Sequence, residues 1–477
     1  MNNQMNNQIK NQIKNHMNNQ ESHGGVGGSR LNIKIGLALT AGLAMAVSGA
    51  SAQSYSGFVS SDTDMVGFRA LGVDVADFDH DGDLDAVMTS TTGQLQLLRN
   101  NGSGVFSQWN AITLSAGFVG RPYVGDFNND GNMDIVCPIR SSDVVQVIKT
   151  NSNGTLQTPQ NLPFGENPYA AAVADFDSNG FLDIVAVSRT TNTAKVYLGN
   201  GVSFPTVRTF PTGLGPSLGN EPFDVAAGDL NNDGNPDIVT TNLASQDIGV
   251  YYASGNGFFF SGEFAYYLSQ PSAPYAIELA DINNDGDKDI VFSRGFGDAE
   301  IVWMRNGYDG GAEVFPDFND GAWSTDVGGR VVDIAIGVFT CNSSLLDVVG
   351  ANERNAKADI EAINVLTNPG IGAFTARPSI PSPNSPEGVA TGDFDNDGDI
   401  DVIEVDLFSG FRVHLNRCIE ADCPADLNDD RELDFLDISA FLVAYNADDP
   451  LGDINGDGEF DFLDISAFLA SYSAGCP

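Results

Sequence analysis

Residues 77–85 read DFDHDGDLD, with aspartate at every second position: Asp77, Asp79, Asp81, Asp83 and Asp85. Carboxylates crowded this closely repel one another, so a folded chain needs a reason to hold them together. A soluble turn, a catalytic cluster and a bound cation are the candidate reasons. Copies elsewhere in the chain, and their spacing, decide among them.

The stretch recurs as DFNNDGNMD at 126, DFDSNGFLD at 175, DLNNDGNPD at 229, DINNDGDKD at 281 and DFDNDGDID at 393. Successive starts are 49, 49, 54 and 52 residues apart, and the last interval of 112 holds two periods. The missing copy is VVDIAIGVFTCNSSLLDVVGAN at 331–352, which keeps the apolar flanks without the acidic ladder, so there are seven repeats. An alternating segment precedes each loop (GVDVAD, YAAAVAD, FDVAAGD) and a β-rich run follows it (DAVMTS, DIVAVS, DIVTTN, DIVFSR). A third strand ends in an Asn/Gly turn, as in LQLLRNNGSGVF, and a fourth follows Phe106, Phe204 or Phe374. Four short strands in each of seven repeats is the pattern of a β-propeller; the rival β-solenoid uses shorter coils.

The ends of the array predict closure. Phe58 lies 19 residues before Asp77, as Phe374 lies 19 before Asp393, so YSGFVSSDT occupies a fourth-strand position with no first three strands. After FRVHLN at 411–416 no fourth strand follows. The N-terminal segment is therefore expected to complete the last blade and remove the open sheet edge.

In each intact loop, oxygen-bearing side chains stand at positions 1, 3, 5 and 9, with glycine at position 6. These are Asp77, Asp79, Asp81 and Asp85, then Asp126, Asn128, Asp130 and Asp134, then Asp175, Asp177, Asn179 and Asp183. The later loops supply Asp229, Asn231, Asp233 and Asp237, then Asp281, Asn283, Asp285 and Asp289, then Asp393, Asp395, Asp397 and Asp401. Ca²⁺ takes about six to eight oxygens, and a tight turn presents alternate side chains toward one centre. Mg²⁺ prefers its own waters to an all-protein cage. Asp, Asn and Gly are also good turn residues, but turn chemistry alone does not require the same four positions in six loops. Six calcium ions are expected, and none in the sixth repeat, where Cys341, Asn342, Ser343 and Ser344 stand in place of the carboxylates.

With their D-x-[DN]-x-[DN]-G-x-x-D loops and N-G-x-x-x-F turns, the repeats over roughly 55–417 resemble the FG-GAP or VCBS family, which is similar to the integrin α-subunit propeller. The resemblance implies calcium-braced blades and a propeller that serves mainly as an extracellular binding surface.

The last fifty residues hold a second tandem. DLNDDRELDFLD at 426–437 and DINGDGEFDFLD at 453–464 are offset by 27 residues. Positions 1, 3, 5, 9 and 12 carry Asp426, Asn428, Asp430, Asp434 and Asp437, then Asp453, Asn455, Asp457, Asp461 and Asp464. This is an EF-hand-like spacing with Asp for the terminal Glu, and each loop runs into a segment of helical periodicity containing Ile438, Phe441 and Leu442 or its copy. The pair resembles a dockerin domain over about 423–477, which implies two further calcium ions and a cohesin-like or cell-surface protein partner. Arg431 replaces the loop glycine, and Phe435-Leu436 and Phe462-Leu463 stand where dockerins often carry a polar recognition pair. Ile438 and Ile465 are read as helix packing. Cys423 and Cys476 bracket the module as a candidate disulfide, with Cys418–Cys423 the rival pairing.

Residues 1–52 read as a cleaved secretory signal with a long polar leader: basic residues, the uncharged run IGLALTAGLAMAVSGASA and a small-residue end at Ala50-Ser51-Ala52. Its removal takes away Lys10, Lys14, Arg30, Lys34 and Glu21. That leaves 18 of the 22 basic and 63 of the 64 acidic residues, a formal charge of −45. Such a surface repels nucleic acid and anionic membranes, and no later stretch is a membrane span. Cys137, inside the apolar run MDIVCPI, reads as a buried thiol.

A catalytic constellation is not evident. Only His80 and His414 follow the leader, and GPSLG at 215–219 fits G-x-S-x-G in a loop that Pro216 spoils as a nucleophile elbow. The expected organisation is an all-β, seven-bladed β-propeller over 53–417, a linker over 418–422 and a small α-helical calcium-binding dockerin-like domain over 423–477. The expected function is that of a secreted binding or adhesion module for a protein or glycan ligand. A polysaccharide-active enzyme, lyase or glycosidase, using the propeller face is the alternative.

Overall fold

The computed structural model describes residues 58–64, 68–115, 117–212, 220–257, 264–267, 273–295, 300–307, 322–340, 343–355, 360–370, 373–382, 384–408, 410–416, 425, 427, 435–446, 450–452, 454 and 460–474. Contacts divide the chain into a unit spanning Tyr55–Cys418, which holds every described strand, and a second unit that takes in the C-terminal helices. The leader, Cys418, Cys423, Cys476, Cys341, Asn342 and the 215–219 stretch lie outside the described residues.

The first blade shows the pattern. Strand β1 (Phe58–Asp64) precedes it, and β2 (Ala70–Ala76), β3 (Asp85–Ser90), β4 (Gln94–Arg99) and β5 (Ser107–Thr113) form an antiparallel sheet in that order. The alternating β2 segment and the acidic loop make a hairpin with β3, whose six residues are all buried. Six further sheets repeat this order, and their first strands, such as Pro168–Ala174 and Pro222–Gly228, contact one another in a closed cycle of seven. The first strands therefore line the central channel.

Between neighbouring blades lie seven apolar clusters, one per junction. Loop position 2 anchors them: Phe78, Phe127, Phe176, Leu230, Ile282, Phe339 and Phe394 are all at most 2% exposed. Cys137 is a buried free thiol in one of these clusters. In the sixth blade the outer strand is broken into Thr375–Ala376 and Ile380–Ser382, both paired with Ile360–Thr367. The ring closes as expected: β1 pairs antiparallel with Gly410–Asn416, from Phe58 opposite Asn416 to Asp64 opposite Gly410.

The second unit contains α1 (Phe435–Asn446), a 3-10 turn at Pro450–Gly452 and α2 (Phe462–Ala474). Phe441 and Phe468 stack face to face at 4.2 Å, and buried Ile438 joins them in a small core with Ala425. Ile465 packs against the same core. No described helix is long and apolar enough to cross a membrane.

Candidate functional site

Each acidic loop joins the first strand of a blade to the second. Position 6 is glycine with φ between 84° and 96° in all six loops, a conformation that side chains disfavour. Position 4 is also left-handed, at His80, Asn129, Ser178, Asn232, Asn284 and Asn396. Asn tolerates that conformation better than most residues. The carboxylate at position 1 closes the turn by accepting the position 6 N–H, as between Asp126 Oδ2 and Gly131 at 2.8 Å.

Position 9 is different in kind. Asp85, Asp134, Asp183, Asp237, Asp289 and Asp401 are fully buried, and each accepts the N–H of the residue that leaves the third strand. In five of these blades the second oxygen accepts the N–H of loop position 2, as Asp401 Oδ2 does from Phe394 at 2.8 Å. Burial drives these carboxyls up, against the pull of the backbone donors: Asp134 to about 6, Asp85, Asp183, Asp237 and Asp289 to about 7, and Asp401 to about 8.

Three loops gather carboxylates, and they are the three with aspartate at position 3. One oxygen each from Asp77, Asp79 and Asp85 lies within 4.8 Å of the others, as do those of Asp175, Asp177 and Asp183 and of Asp393, Asp395 and Asp401. The position 5 carboxylates Asp81 and Asp397 do not join these clusters. Asp81 pairs with Arg99 at 2.8 Å, and the same guanidinium reaches Asp79 of the cluster at 2.7 Å; Asp285 pairs with Arg305 at 3.0 Å. Asp79 Oδ1, Asp395 Oδ1 and Asp134 Oδ2 are buried without a hydrogen-bond partner. Oxygens left in that state suit a cation. Asn128, Asn231 and Asn283, at position 3 of the other loops, each accept the position 5 N–H. Asp126, Asp229 and Asp281 close those turns, and the N–H of Asp130, Asn179, Asp233, Asp285 or Asp397 in its own loop reaches back to position 1.

In the second unit, Asp437 and Asp464 are fully buried in the first turns of their helices, and Leu427 N–H donates to Asp437 at 2.9 Å. Asp461 caps α2 by accepting from Leu463 at 2.7 Å. Asp426, Asn428, Asp430, Asp434, Asp453, Asn455 and Asp457 lie outside the described residues.

The opposite end of the same hairpins forms a channel mouth that repeat spacing did not reveal. Where each first strand begins, pairing with the second slips by one residue in six blades. A bulge of this kind re-aims one side chain out of the sheet pattern. The residues at the slips, Leu71, Tyr169, Phe223, Tyr275, Val332 and Glu387, line one cavity of about 410 Å³. Arg140 and Arg189 enter it from just beyond the second strands of blades two and three. The Arg140 guanidinium sits 3.5 Å from the Tyr169 ring centre; Arg189 lies 4.8 Å from Tyr169 and 5.5 Å from Phe223. Phe223 meets Tyr275 edge-on at 4.9 Å, and Arg330 lies 5.7 Å from Tyr275. Arg189 pairs with Glu221 at 3.1 Å and Arg330 pairs with Glu353, but no described carboxylate pairs with Arg140, whose Nε is buried without a partner.

Below the mouth the channel is acidic. Arg121 contacts Asp333 at 2.5 Å and Asp224 at 3.9 Å. Burial opposes its charge, but the two carboxylates win and hold its pKa above the ordinary value. Burial lifts Asp74 and Asp224 to about 6 and Glu278 to about 8. Asp74, Asp224 and Asp333 each accept an N–H from the next blade's first strand, at Val124, Ile277 and Val389, which ties strands that share no sheet.

The FG-GAP-like repeat model matches residues 77–137, 175–240, 229–292 and 342–403, together just over half of the chain. The chain belongs to the FG-GAP-like repeat family. Each matched FG-GAP segment runs from the loop region of one blade into the second strand of the next. The last of them covers the second to fourth strands of the sixth blade, whose Asp347 keeps the position 9 role: it is fully buried and accepts from Phe339, Thr340 and Asn368. Among solved structures, BBS1N in complex with ARL6DN, soaked with lead, is similar at TM-score 0.53 and 10% identity, over 76% of this chain and 97% of that one. The same complex soaked with mercury gives 0.52 at the same identity and coverage. An Agrocybe aegerita lectin, described as recognising non-reducing terminal N-acetylglucosamine, aligns at TM-score 0.45 and 20% identity, over 66% of this chain and 80% of that one. These likenesses concern the fold alone. No curated protein matches the chain.

The mouth residues have a signal in hindsight. Six positions before each loop the repeats read Leu71, Gly120, Tyr169, Phe223, Tyr275, Val332 and Glu387. The FG-GAP copies diverge at this position, although Pro168, Pro222, Pro274 and Pro386 stand just before it in four of them, and divergence at one register marks a surface that packing does not dictate.

Proposed function

We propose that this protein is a secreted, calcium-braced FG-GAP propeller that works as a binding module, taking its ligand at the channel mouth opposite the acidic loops. The observation that carries this reading is the ring of bulged side chains, which presents interleaved arginine and aromatic groups around one cavity. Concave sites with a few convergent polar groups among aromatics are where small ligands bind.

Calcium would be held in the propeller by the side chains at loop positions 1, 3, 5 and 9, with the partnerless oxygens of Asp79, Asp395 and Asp134 supporting that assignment. Two further ions belong to the EF-hand-like loops. The bound ion supplies positive charge that offsets carboxylate repulsion. The helical unit would tether the propeller to a cohesin-like or cell-surface protein, for which exposed Phe462 and Leu463 supply an apolar contact.

A second reading, a polysaccharide-active enzyme, draws on one observation: burial holds Glu278 near 8 and Glu387 near 7, so carboxylic acids persist at neutral pH beside the channel. The deciding experiment is a glycan-array and pull-down screen with the full chain and with Leu71→Trp, which fills the mouth. Retained ligand, lost in the variant and released unchanged, supports the binding module. New reducing ends or unsaturated sugars support the enzyme. Capture that Leu71→Trp leaves intact removes the mouth as the site.

A further inference from the structure

The mouth differs from the rest of the molecule in charge. Only 18 basic residues follow position 52, yet Arg121, Arg140, Arg189 and Arg330 all converge on this one cavity. Guanidinium groups laid on aromatic faces are held in position while their N–H edges stay available to a ligand. Three of the four already have a carboxylate: Arg121 has Asp333, Arg189 has Glu221 and Arg330 has Glu353. Arg140 forms no ion pair with a described carboxylate; Glu387, across the cavity, acts on it only at longer range, and its Nε has no hydrogen-bond partner. Burial also works against its charge and lowers its pKa. A guanidinium without a close ion pair in a partly dry cavity attracts one oxyanion, which it can grip in a two-pronged hydrogen bond.

The remainder of the cavity narrows the ligand further. Glu353 and Glu387 offer acceptors, the Tyr123 hydroxyl is buried without a partner, and Tyr275 and Phe223 offer ring surface. Hydroxyl groups donate to the first and accept from the guanidinium edges, and a flat ring face covers the aromatics. A polyanion such as an acidic peptide would set its further carboxylates against Glu221, Glu353 and Glu387, so one negative charge with many hydroxyls fits best.

We propose that the mouth recognises a single sugar acid, with its carboxylate on Arg140 and its ring against the Tyr169–Phe223–Tyr275 aromatic arc. The assignment rests on the channel mouth being the ligand site, and it adds the chemical class of what is bound there.

The test uses the full-length protein and three probes: methyl glucuronoside, the matched neutral methyl glucoside, and a blocked aspartate peptide. Binding is read by calorimetry for the natural chain and for Arg140→Gln, Arg140→Lys and Leu71→Trp, with each variant's melting curve as a folding control. The expected result is glucuronoside binding that falls about ten- to a hundredfold in Arg140→Gln, since a lost charge-assisted hydrogen bond carries roughly that factor. Arg140→Lys, which keeps the charge but loses the fork, should recover part of it, and the glucoside should bind at least about tenfold more weakly. Equal binding of glucoside and glucuronoside, both lost in Leu71→Trp, overturns the sugar-acid assignment and leaves the mouth as the site. Tighter binding of the aspartate peptide overturns the sugar class. Binding that Leu71→Trp does not change, or no binding of any probe, overturns the assignment, the former together with the site itself.

Discussion

At the scale of single residues, one loop position does two kinds of work. Spacing alone makes the aspartates at position 9 cation ligands, because they recur with the others. The structure shows that each is first a backbone acceptor, bonded to the N–H groups that end the third strand and, in most blades, start the loop. The sixth blade separates the roles, since Asp347 keeps the bonds where the acidic ladder is missing. Replacing Asp347 with Ala would orphan the buried N–H groups of Phe339, Thr340 and Asn368. Each such group costs roughly 1–3 kcal/mol, so a loss of several kcal/mol is expected. Urea unfolding in EDTA and in calcium checks this. The loss should be the same in both, and a loss seen only with calcium would return Asp347 to a metal role. The neighbouring residue at position 4 shows the limit of reading ligands alone. His80 stands at a non-ligand position, yet its Nε2 contacts Asn132 of the next loop at 2.9 Å. Asn129, Asn284 and Asn396 reach the following blade in the same way, to Gly180, Ser344 and Asp83. Nothing in the repeat spacing distinguishes this belt from a simple turn, because both favour Asn in a left-handed conformation.

At the scale of elements, the loop hairpin was legible in the sequence and the bulge at its far end was not. A hairpin announces itself through glycine, alternating apolar residues and a fixed period. The one-residue slip is marked only by Pro168, Pro222, Pro274 and Pro386 just before the skipped residue, a signal that equally fits an ordinary strand start, and by the variable side chain at Tyr169, Phe223 or Glu387. The loops also predict how the metal-free protein responds to pH. Burial raises Asp85, Asp183, Asp237 and Asp289 to about 7 and Asp401 to about 8, above the ordinary 3.8. The folded chain therefore holds these protons more tightly than the unfolded chain. Their contribution to stability is complete below the unfolded value and is lost as pH rises through about 7 to 8. Asp81, Asp130 and Asp285 lie below the ordinary value, so their contribution falls away only under about pH 4. In EDTA the melting temperature should therefore be higher at pH 5.5 than at pH 8. Saturating calcium should raise the pH 8 value most and narrow the gap, since an ion bound only by the folded state stabilises it. Scanning calorimetry at both pH values decides the matter, and a melting curve at pH 8 indifferent to calcium would remove the ion from the loops.

At the scale of the whole propeller, the seven-fold count and the way the ring closes followed from arithmetic on the sequence: seven loops or their remnant, a spare fourth strand at one end and a missing one at the other. Such features are legible because a closed ring must conserve strand number, whatever the side chains do. The channel was not legible, because its acids and arginines occupy different positions in each blade and meet only when the first strands converge. Asp74, Asp224 and Asp333 sit at two different distances from their loops and still reach the adjacent strand. Closure carries the last prediction. Strand β1 pairs along its whole length with Gly410–Asn416, and Phe58 lies 6.1 Å from Phe339 of the sixth blade. Deleting 53–64 would strip the last blade of its outer strand and leave Gly410–Asn416 as a bare edge. Partial burial of one phenylalanine contributes up to roughly 1.5–3 kcal/mol, and the lost ladder adds to it, so the melting temperature should fall by several degrees. The exposed edge should also pair between molecules, which light scattering would read as association at concentrations where the full chain stays monodisperse. Adding the peptide FVSSDTD in trans should reverse both effects if the edge is their cause, because it restores the missing ladder. Association that the peptide leaves untouched would place the instability elsewhere than at the closing strand.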